Sequence, residues 1–109
     1  MKVGIAGAGA FGTALAVSLA RNGPVELWSH SVTHVAEMRE SGENPRRLPG
    51  IALPEAITPT ADFTDLASAD ALLLAVPMQQ LRAVLSAHAE ALAGRTLVAC
   101  CKGIELESG

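Results

Sequence analysis

Near its amino terminus the chain reads Lys2-Val3-Gly4-Ile5-Ala6-Gly7-Ala8-Gly9-Ala10-Phe11-Gly12. The run from Lys2 to Ala6 is short, apolar and partly β-branched, which is typical of a strand buried in a parallel sheet. The segment from Thr13 to Arg21 is predicted to be a helix that ends at Asn22-Gly23-Pro24. Three glycines with the spacing G-x-G-x-x-G therefore lie between a predicted strand and a predicted helix.

This glycine spacing predicts a loop that holds the pyrophosphate of a dinucleotide. Gly7 would allow the sharp turn, Gly9 the close approach of the phosphates, and Gly12 the packing of helix on strand. Backbone N–H groups and the helix dipole then favour an anion at the start of the helix. A glycine-rich turn without a ligand and a secretory signal peptide are the alternatives. The four glycines within the first twelve residues weigh against the continuous apolar helix of a signal peptide.

The remaining pattern alternates strands and helices. Val25 to Trp28 is predicted to be a strand, and Ser29 or Ser31 to cap a helix that runs to about Glu40. The proline-rich segment from Ser41 to Pro59 is expected to be mostly loop, with a short extended piece near Ala56 to Thr58. Further on, we predict a central strand at 71–76, a helix through Leu81 and Leu92 ending at Gly94, and a strand at 96–101. The order predicts an α/β fold of the Rossmann type, a doubly wound parallel sheet with helices on both faces.

Length and composition limit the classes of function. A chain of 109 residues suffices for one domain. Its net charge of −3, with no basic cluster beyond Arg46-Arg47, argues against nucleic acid as a partner. No apolar run is long enough for a membrane span, and the neighbouring Cys100 and Cys101 have no metal or redox spacing. We therefore expect no metal, no membrane span and a reduced, cytoplasmic setting.

The residues after the second strand bear on cofactor choice. NAD-selective sites usually carry an acidic residue there, but this chain has Ser29-His30-Ser31, and Glu26 lies three positions too early. Hydroxyls and an imidazole can donate to a 2′-phosphate, so the sequence favours NADPH or dual use of NADPH and NADH. An exposed histidine without a role is the alternative for His30. His34 and His88 lie on predicted helices without partners, and we expect no function for them.

Two more candidates follow strands at the carboxyl edge of the predicted sheet, where doubly wound folds bind ligands. Pro77 ends the central strand and would border the nicotinamide. Lys102 follows the next strand, where a cation would stabilise a phosphate or a developing oxyanion. An ordinary surface lysine is the alternative for Lys102.

Several separated motifs together resemble the amino-terminal part of the bacterial NAD(P)-dependent glycerol-3-phosphate dehydrogenases. These motifs are Gly7 to Ala16, Leu27-Trp28, Leu48-Pro49-Gly50-Ile51 following Asn44, Ala75-Val76-Pro77 and Lys102-Gly103-Ile104-Glu105. The resemblance implies that Ala10 and Phe11 contact the cofactor and that His30 and Ser31 contact its adenosine end. It also implies that Lys102 touches both the cofactor and the phosphate side of the substrate.

The resemblance implies an oxidoreductase that transfers a hydride between NAD(P)H and dihydroxyacetone phosphate, giving sn-glycerol 3-phosphate for phospholipid synthesis. Members of that family continue into a helical carboxyl-terminal domain that supplies the acid/base lysine. We therefore expect that lysine beyond Gly109 and no catalytic acid or base among residues 1–109. These residues are expected to be the cofactor-binding domain alone, inactive without the second domain, and a homodimer is left open.

A related ketopantoate reductase and a stand-alone dinucleotide-binding module are the alternative functions. Leu48-Pro49-Gly50 and Lys102-Gly103-Ile104-Glu105 weigh against the reductase. The chain departs from the family pattern at Ala10, Ser31 and Arg47, where Ser, Arg and an aromatic residue are common.

Overall fold

The computed structural model describes residues 2–76, 78–87 and 97–99. Within these ranges, seven strands, three α-helices and one 3-10 helix follow one another along the chain. They are β1 (Val3–Ala6), α1 (Ala10–Leu19), β2 (Val25–Trp28), α2 (Val32–Ser41), β3 (Glu43–Asn44), β4 (Leu48–Ala52), β5 (Ile57–Thr60), the 3-10 helix (Phe63–Ser68), β6 (Ala71–Leu74), α3 (Met78–Ala87) and β7 (Leu97–Ala99).

Five of the strands form one parallel sheet in the order β5-β2-β1-β6-β7. Counted along the chain, these strands have the order 3-2-1-4-5, which is the doubly wound arrangement. The direction in which strands are added reverses between β1 and β6, and ligands of such folds bind at the carboxyl ends of the strands there. The predicted Rossmann-type sheet is confirmed, with the glycine loop at this switch point.

Helices cover both faces of the sheet, as predicted. On one face, Ile5 lies in register with Leu27 and Leu73 and packs under α1 and α2. On the other face, Ala6 lies in register with Trp28 and Leu74. That second face packs against the 3-10 helix and α3 through Phe63, Leu66 and Val84. The alternation follows from the two-residue period of a strand.

The second helix has clear signals at both ends. The Ser31 hydroxyl accepts a hydrogen bond from the N–H of His34 at 3.1 Å, so Ser31 is the cap and not Ser29. Gly42 ends the helix with φ +71, a left-handed conformation that glycine adopts without a steric penalty. The first helix begins at Ala10, three residues before the predicted start at Thr13.

The extended piece expected near Ala56 to Thr58 is confirmed as part of β5, but the expectation of loop elsewhere between Ser41 and Pro59 misses a hairpin. The strands β3 and β4 form an antiparallel hairpin, and β5 joins the main sheet beside β2. Pro59 lies in β5, which is an edge strand, so its missing N–H removes no bond to a second neighbour. Its carbonyl oxygen accepts hydrogen bonds from Nε and Nη2 of Arg39 at 3.0 and 2.7 Å, which ties α2 to the sheet edge.

The elements after residue 70 are of the predicted types, a strand, a helix and a strand. The strand predicted at 71–76 is β6, which lies inside the sheet between β1 and β7. The helix predicted after Pro77 is α3, and β7 lies within the segment predicted at 96–101. Within the described ranges, no helix has the length and apolar character needed to cross a membrane. The residues named in the sequence predictions that lie outside the described ranges are Pro77, His88, Leu92, Gly94, Cys100, Cys101, Lys102, Gly103, Ile104, Glu105 and Gly109.

Candidate functional site

Gly7 makes the turn from β1 at the switch point of the sheet. Its N–H donates to the carbonyl oxygen of Trp28 at 2.9 Å, so the end of β1 is held against β2. Its φ of +126 favours glycine, and a Cβ here would lie 2.6 Å from the carbonyl oxygen of Ala75. Only glycine therefore fits between the ends of β1 and β6.

Gly12 and Gly9 differ in the space around them. A Cβ on Gly12 would overlap the carbonyl oxygen of Gly7, so α1 packs directly against the turn. A Cβ on Gly9 would meet no heavy atom within 4 Å. Two of the three glycines are thus required by packing of the chain against itself. The third, Gly9, borders open space, and this is where the sequence predicts the pyrophosphate.

The first turn of α1 faces this open space. The Thr13 N–H is the first to bond within the helix, donating to the carbonyl oxygen of Gly9 at 2.9 Å. The amides of Ala10, Phe11 and Gly12 precede it and have no carbonyl partner within the helix. The helix has ten residues and no acidic side chain in its first turn. Its N–H groups and dipole therefore favour an anion.

The residues after β2 are not equally available to a ligand. Ser29 is buried, Ser31 is half-buried as the cap of α2, and His30 is exposed. The His30 ring lies with its centroid 6.4 Å from that of Trp28. Since the Ser31 oxygen accepts the N–H of His34, its own O–H can still donate to a ligand.

The acidic residue of β2, Glu26, forms an ion pair away from the end of the strand. Glu26 lies opposite Gly4 in the sheet and pairs with Nζ of Lys2 at 3.3 Å. Its carboxylate is therefore two residues short of the carboxyl end of β2, where an adenosine ribose would lie. Both its position and its ion pair agree with the sequence-based view that no acidic residue occupies the ribose position.

His34 has two partners, so the expectation that it lacks them is wrong. The residue is buried, and its Nε2 lies 2.7 Å from Oδ1 of Asn44. Its Nδ1 lies 3.4 Å from Oγ of Ser29. These partners are five and ten positions away in the sequence and come close only in the folded chain.

Asn44 is a site residue that sequence reasoning did not select. It is completely buried, and its Nδ2 donates to the carbonyl oxygen of Ala8 at 2.9 Å and to Oγ1 of Thr13 at 2.8 Å. A hairpin residue thus contacts both the glycine loop and α1. Its position in a proline-rich segment predicted to be loop gave no signal of burial.

An ion pair fastens the hairpin to α2 from outside. Arg46 donates from Nε and Nη2 to the two carboxylate oxygens of Glu37 at 2.8 and 2.9 Å. This hydrogen bonding holds the pKa of Glu37 below its usual range and raises that of Arg46. Both side chains are exposed to solvent, so the pair contributes little stability but fixes where the hairpin lies.

The structure therefore brings together the glycine loop, the start of α1 and the residues after β2. Phe11 is 44% exposed beside the loop. In the part of the chain that the structure describes, no group of three or more His, Cys, Asp or Glu side chains could hold a metal ion. The cofactor contacts expected from the sequence that fall in these three segments are Gly7, Gly9, Ala10, Phe11, Gly12, His30 and Ser31.

The remaining expectations for the site fall outside the described residues. Pro77 and Lys102, the two candidates predicted for the carboxyl edge of the sheet, lie outside those residues. Gly109, beyond which the acid/base lysine is expected, lies there too. The roles expected for these positions therefore stay predictions.

Comparison with known proteins identifies the family. The family model for the amino terminus of NAD-dependent glycerol-3-phosphate dehydrogenase matches residues 2–109. The chain is 59% identical to the glycerol-3-phosphate dehydrogenase (NAD(P)+) of Ruegeria sp. (strain TM1040), over 100% of this chain and 34% of that protein. It is 53% identical to the enzyme of the same name from Roseobacter denitrificans, with the same two coverages.

A crystal structure of glycerol-3-phosphate dehydrogenase from Coxiella burnetii has the same fold, with a TM-score of 0.84 and 33% identity. The match covers 94% of this chain and 34% of that one. The chain thus spans about a third of the length of the relatives it matches. Because the family model covers nearly every residue, the chain belongs to the family of NAD-dependent glycerol-3-phosphate dehydrogenases and corresponds to their amino-terminal part.

Proposed function

We propose that this chain binds NADH or NADPH as the cofactor-binding part of a glycerol-3-phosphate dehydrogenase. The observation that carries the proposal is the difference between the three loop glycines. Gly7 and Gly12 are enclosed by backbone, whereas Gly9 borders open space at the start of α1. A loop built only for a tight turn would not need glycine at position 9, which faces open space. A pyrophosphate requires glycine there, because a side chain would prevent its close approach to the backbone.

The residues proposed to hold the cofactor follow from their positions. The amides at Ala10, Phe11 and Gly12 would bind the pyrophosphate, since they precede the first bonded N–H of the helix. The exposed His30 and the hydroxyl of Ser31 would contact the adenosine end. With the only acidic residue of β2 held by Lys2, no carboxylate of that strand repels a 2′-phosphate, so NADPH is the favoured form.

The proposed reaction is hydride transfer between the bound nicotinamide and dihydroxyacetone phosphate, giving sn-glycerol 3-phosphate. The cofactor supplies or accepts the hydride, and Pro77 is proposed to border the nicotinamide. Lys102 would orient the substrate phosphate. The carbonyl oxygen must also receive a proton from a positioned acid. Lys2 and Lys102 are the only lysines in the sequence, and Lys2 pairs with Glu26.

The proton donor is therefore proposed to lie beyond Gly109, in a helical carboxyl-terminal domain that would be the partner of this chain. A homodimer and a cytoplasmic location are further parts of the proposal. A stand-alone dinucleotide-binding module is the second candidate function, and the match to enzymes of which this chain covers about a third does not favour it. The family match disfavours a ketopantoate reductase.

Activity measurements with the full-length protein that contains residues 1–109 test the proposal. NADPH consumption is followed with dihydroxyacetone phosphate and, in parallel, with ketopantoate. Turnover of dihydroxyacetone phosphate alone supports the proposal. Turnover of ketopantoate alone would replace it with the reductase, and cofactor binding without turnover of either would favour the stand-alone module.

A further inference from the structure

We infer that Asn44 is a positioning residue for the glycine loop from Gly7 to Gly12, which is proposed to hold the pyrophosphate. We also infer that His34 sets the orientation of the Asn44 side chain. This inference rests on the proposed dinucleotide binding and names two residues that would touch no part of the cofactor. Both are buried, at 0% and 7% exposure, in a position between the loop, α1 and α2. Their side chains form a continuous hydrogen-bonded chain that ends on the loop backbone.

The direction of each hydrogen bond can be assigned from the chemistry of the groups. The amide nitrogen of Asn44 donates both of its hydrogens, one to the carbonyl of Ala8 and one to Oγ1 of Thr13. Its Oδ1 is therefore the acceptor facing His34, whose Nε2 donates at 2.7 Å. In the tautomer that carries its proton on Nε2, the Nδ1 of His34 accepts from the hydroxyl of Ser29 at 3.4 Å.

Holding the Ala8 carbonyl has a direct effect on the next amide. The peptide bond between Ala8 and Gly9 is planar and trans, so its C=O and N–H point in opposite directions. With the carbonyl fixed on the buried amide of Asn44, the N–H of Gly9 points away from the interior. Gly9 itself borders open space, since a Cβ built on it would meet no heavy atom within 4 Å. Asn44 thus sets the direction of the Gly9 N–H, which we propose as a further donor beside the amides of Ala10, Phe11 and Gly12.

The chain of bonds also reaches the other half of the proposed site. The hydroxyl of Ser29 accepts the N–H of Ser31 at 3.2 Å, next to the exposed His30. The Ser31 hydroxyl in turn accepts the N–H of His34. One connected set of bonds therefore links the adenosine side, at the end of β2, to the phosphate side, at the start of α1.

Cofactor affinity of folded variants tests the inference. We compare Asn44→Leu, His34→Leu and His34→Gln in the same protein, measuring the Kd for NADH and NADPH by fluorescence at a temperature where each variant remains folded. Loss of a buried hydrogen-bond partner should raise Kd about tenfold for Asn44→Leu and His34→Leu. His34→Gln can still donate to Asn44 and should recover most of the affinity.

Arg39→Met is the matched control, since it removes two hydrogen bonds from α2 to β5 without touching the loop. It should lower the unfolding temperature and leave Kd within about twofold of the unmodified protein. A Kd that is unchanged in folded Asn44→Leu, or raised equally in Arg39→Met, would overturn the inference.

Hydrogen exchange of the amides from Gly7 to Gly12 supplies a second measurement that requires no cofactor. The exchange should be faster in His34→Leu than in Arg39→Met, and equal rates would also overturn the inference. Failure of the unmodified protein to bind either cofactor would instead count against the proposed function, with the exchange comparison still deciding the positioning role.

Discussion

The carbonyl oxygen of Gly7 occupies the place that a Cβ on Gly12 would need. This contact brings the first turn of α1 against the end of β1, and it requires glycine at both positions for different reasons. Gly7 needs its positive φ and its closeness to Ala75, whereas Gly12 needs the absence of a side chain. The start of α1 is therefore fixed at the carboxyl end of β1.

Gly12→Ala is expected to destabilise the fold by about 3 kcal/mol, because the new methyl group meets backbone that cannot rotate away. The free energy of unfolding in urea measures the effect. Gly9→Ala is the matched control, and its change should stay below about 1 kcal/mol, since nothing lies within 4 Å of its Cβ. Equal stability losses in the two variants would show that the enclosed position of Gly12 is not what matters.

His30→Ala is expected to raise the Kd for NADPH about fivefold more than the Kd for NADH. The reason is that only NADPH places a phosphate near this exposed ring. Calorimetric titration with each cofactor gives the ratio. Val32→Ala alters the neighbouring exposed residue and should change neither affinity. Equal losses of NADH and NADPH affinity in His30→Ala would remove this residue from cofactor selection.

Acid should weaken the start of the 3-10 helix at Asp62. Its carboxylate accepts hydrogen bonds from the hydroxyl and the N–H of Thr64 at 2.6 and 3.0 Å, which lower the pKa of Asp62, the hydroxyl contributing most. Because the pKa of Asp62 is lower in the folded state, its ionised form stabilises the protein at pH values above the pKa of the unfolded state, about 3.9. That stabilisation is lost as the pH falls through the folded pKa.

An NMR titration of the Asp62 carboxyl carbon measures this pKa directly. In Thr64→Val the hydroxyl is lost and the backbone N–H remains, so the midpoint should rise towards the ordinary value. The same midpoint in both proteins would contradict the assigned cause.

Local sequence patterns predicted the first half of the fold because its signals are short in range. The apolar run of β1, the glycine spacing and the cap at Ser31 each act within a few residues of the element that they define. The sequence predicts a start at Thr13, and Gly12 just before it has a low helix propensity. In the structure, α1 begins at Ala10, and the packing of Gly12 on Gly7 outweighs that propensity.

The hairpin and the full extent of β5 could not be predicted in the same way. The prolines of this segment indicate mostly loop, with only a short extended piece near Ala56 to Thr58. Pro59 lies on an edge strand, where a missing N–H is tolerated, and edge position is a property of the whole sheet. Asn44 and His34 were missed for a related reason. Their partners, which only the assembled fold brings together, are Ala8, Thr13 and Ser29.

The 109-residue chain by itself is expected to bind NADPH or NADH weakly and to show no turnover of dihydroxyacetone phosphate. It has the residues for binding, but outside Lys102, which is proposed to orient the substrate, it has no positioned lysine to act as the acid. The loss of proximity and of general-acid catalysis should lower the rate by several orders of magnitude, about 10⁴-fold or more. Measurable turnover by the purified 109-residue chain would refute the need for a lysine beyond Gly109.

The most direct test of the central claim is the affinity of Gly9→Val for NADH and NADPH by calorimetry, beside the unmodified protein. A Cβ at Gly9 enters open space, and the extended backbone there, φ −76 and ψ −173, suits valine, so the variant should fold. Its side chain would fill the place proposed for the pyrophosphate. We predict that binding of both cofactors falls below detection while the unfolding transition remains cooperative, whereas unchanged affinity in the folded variant would contradict the account.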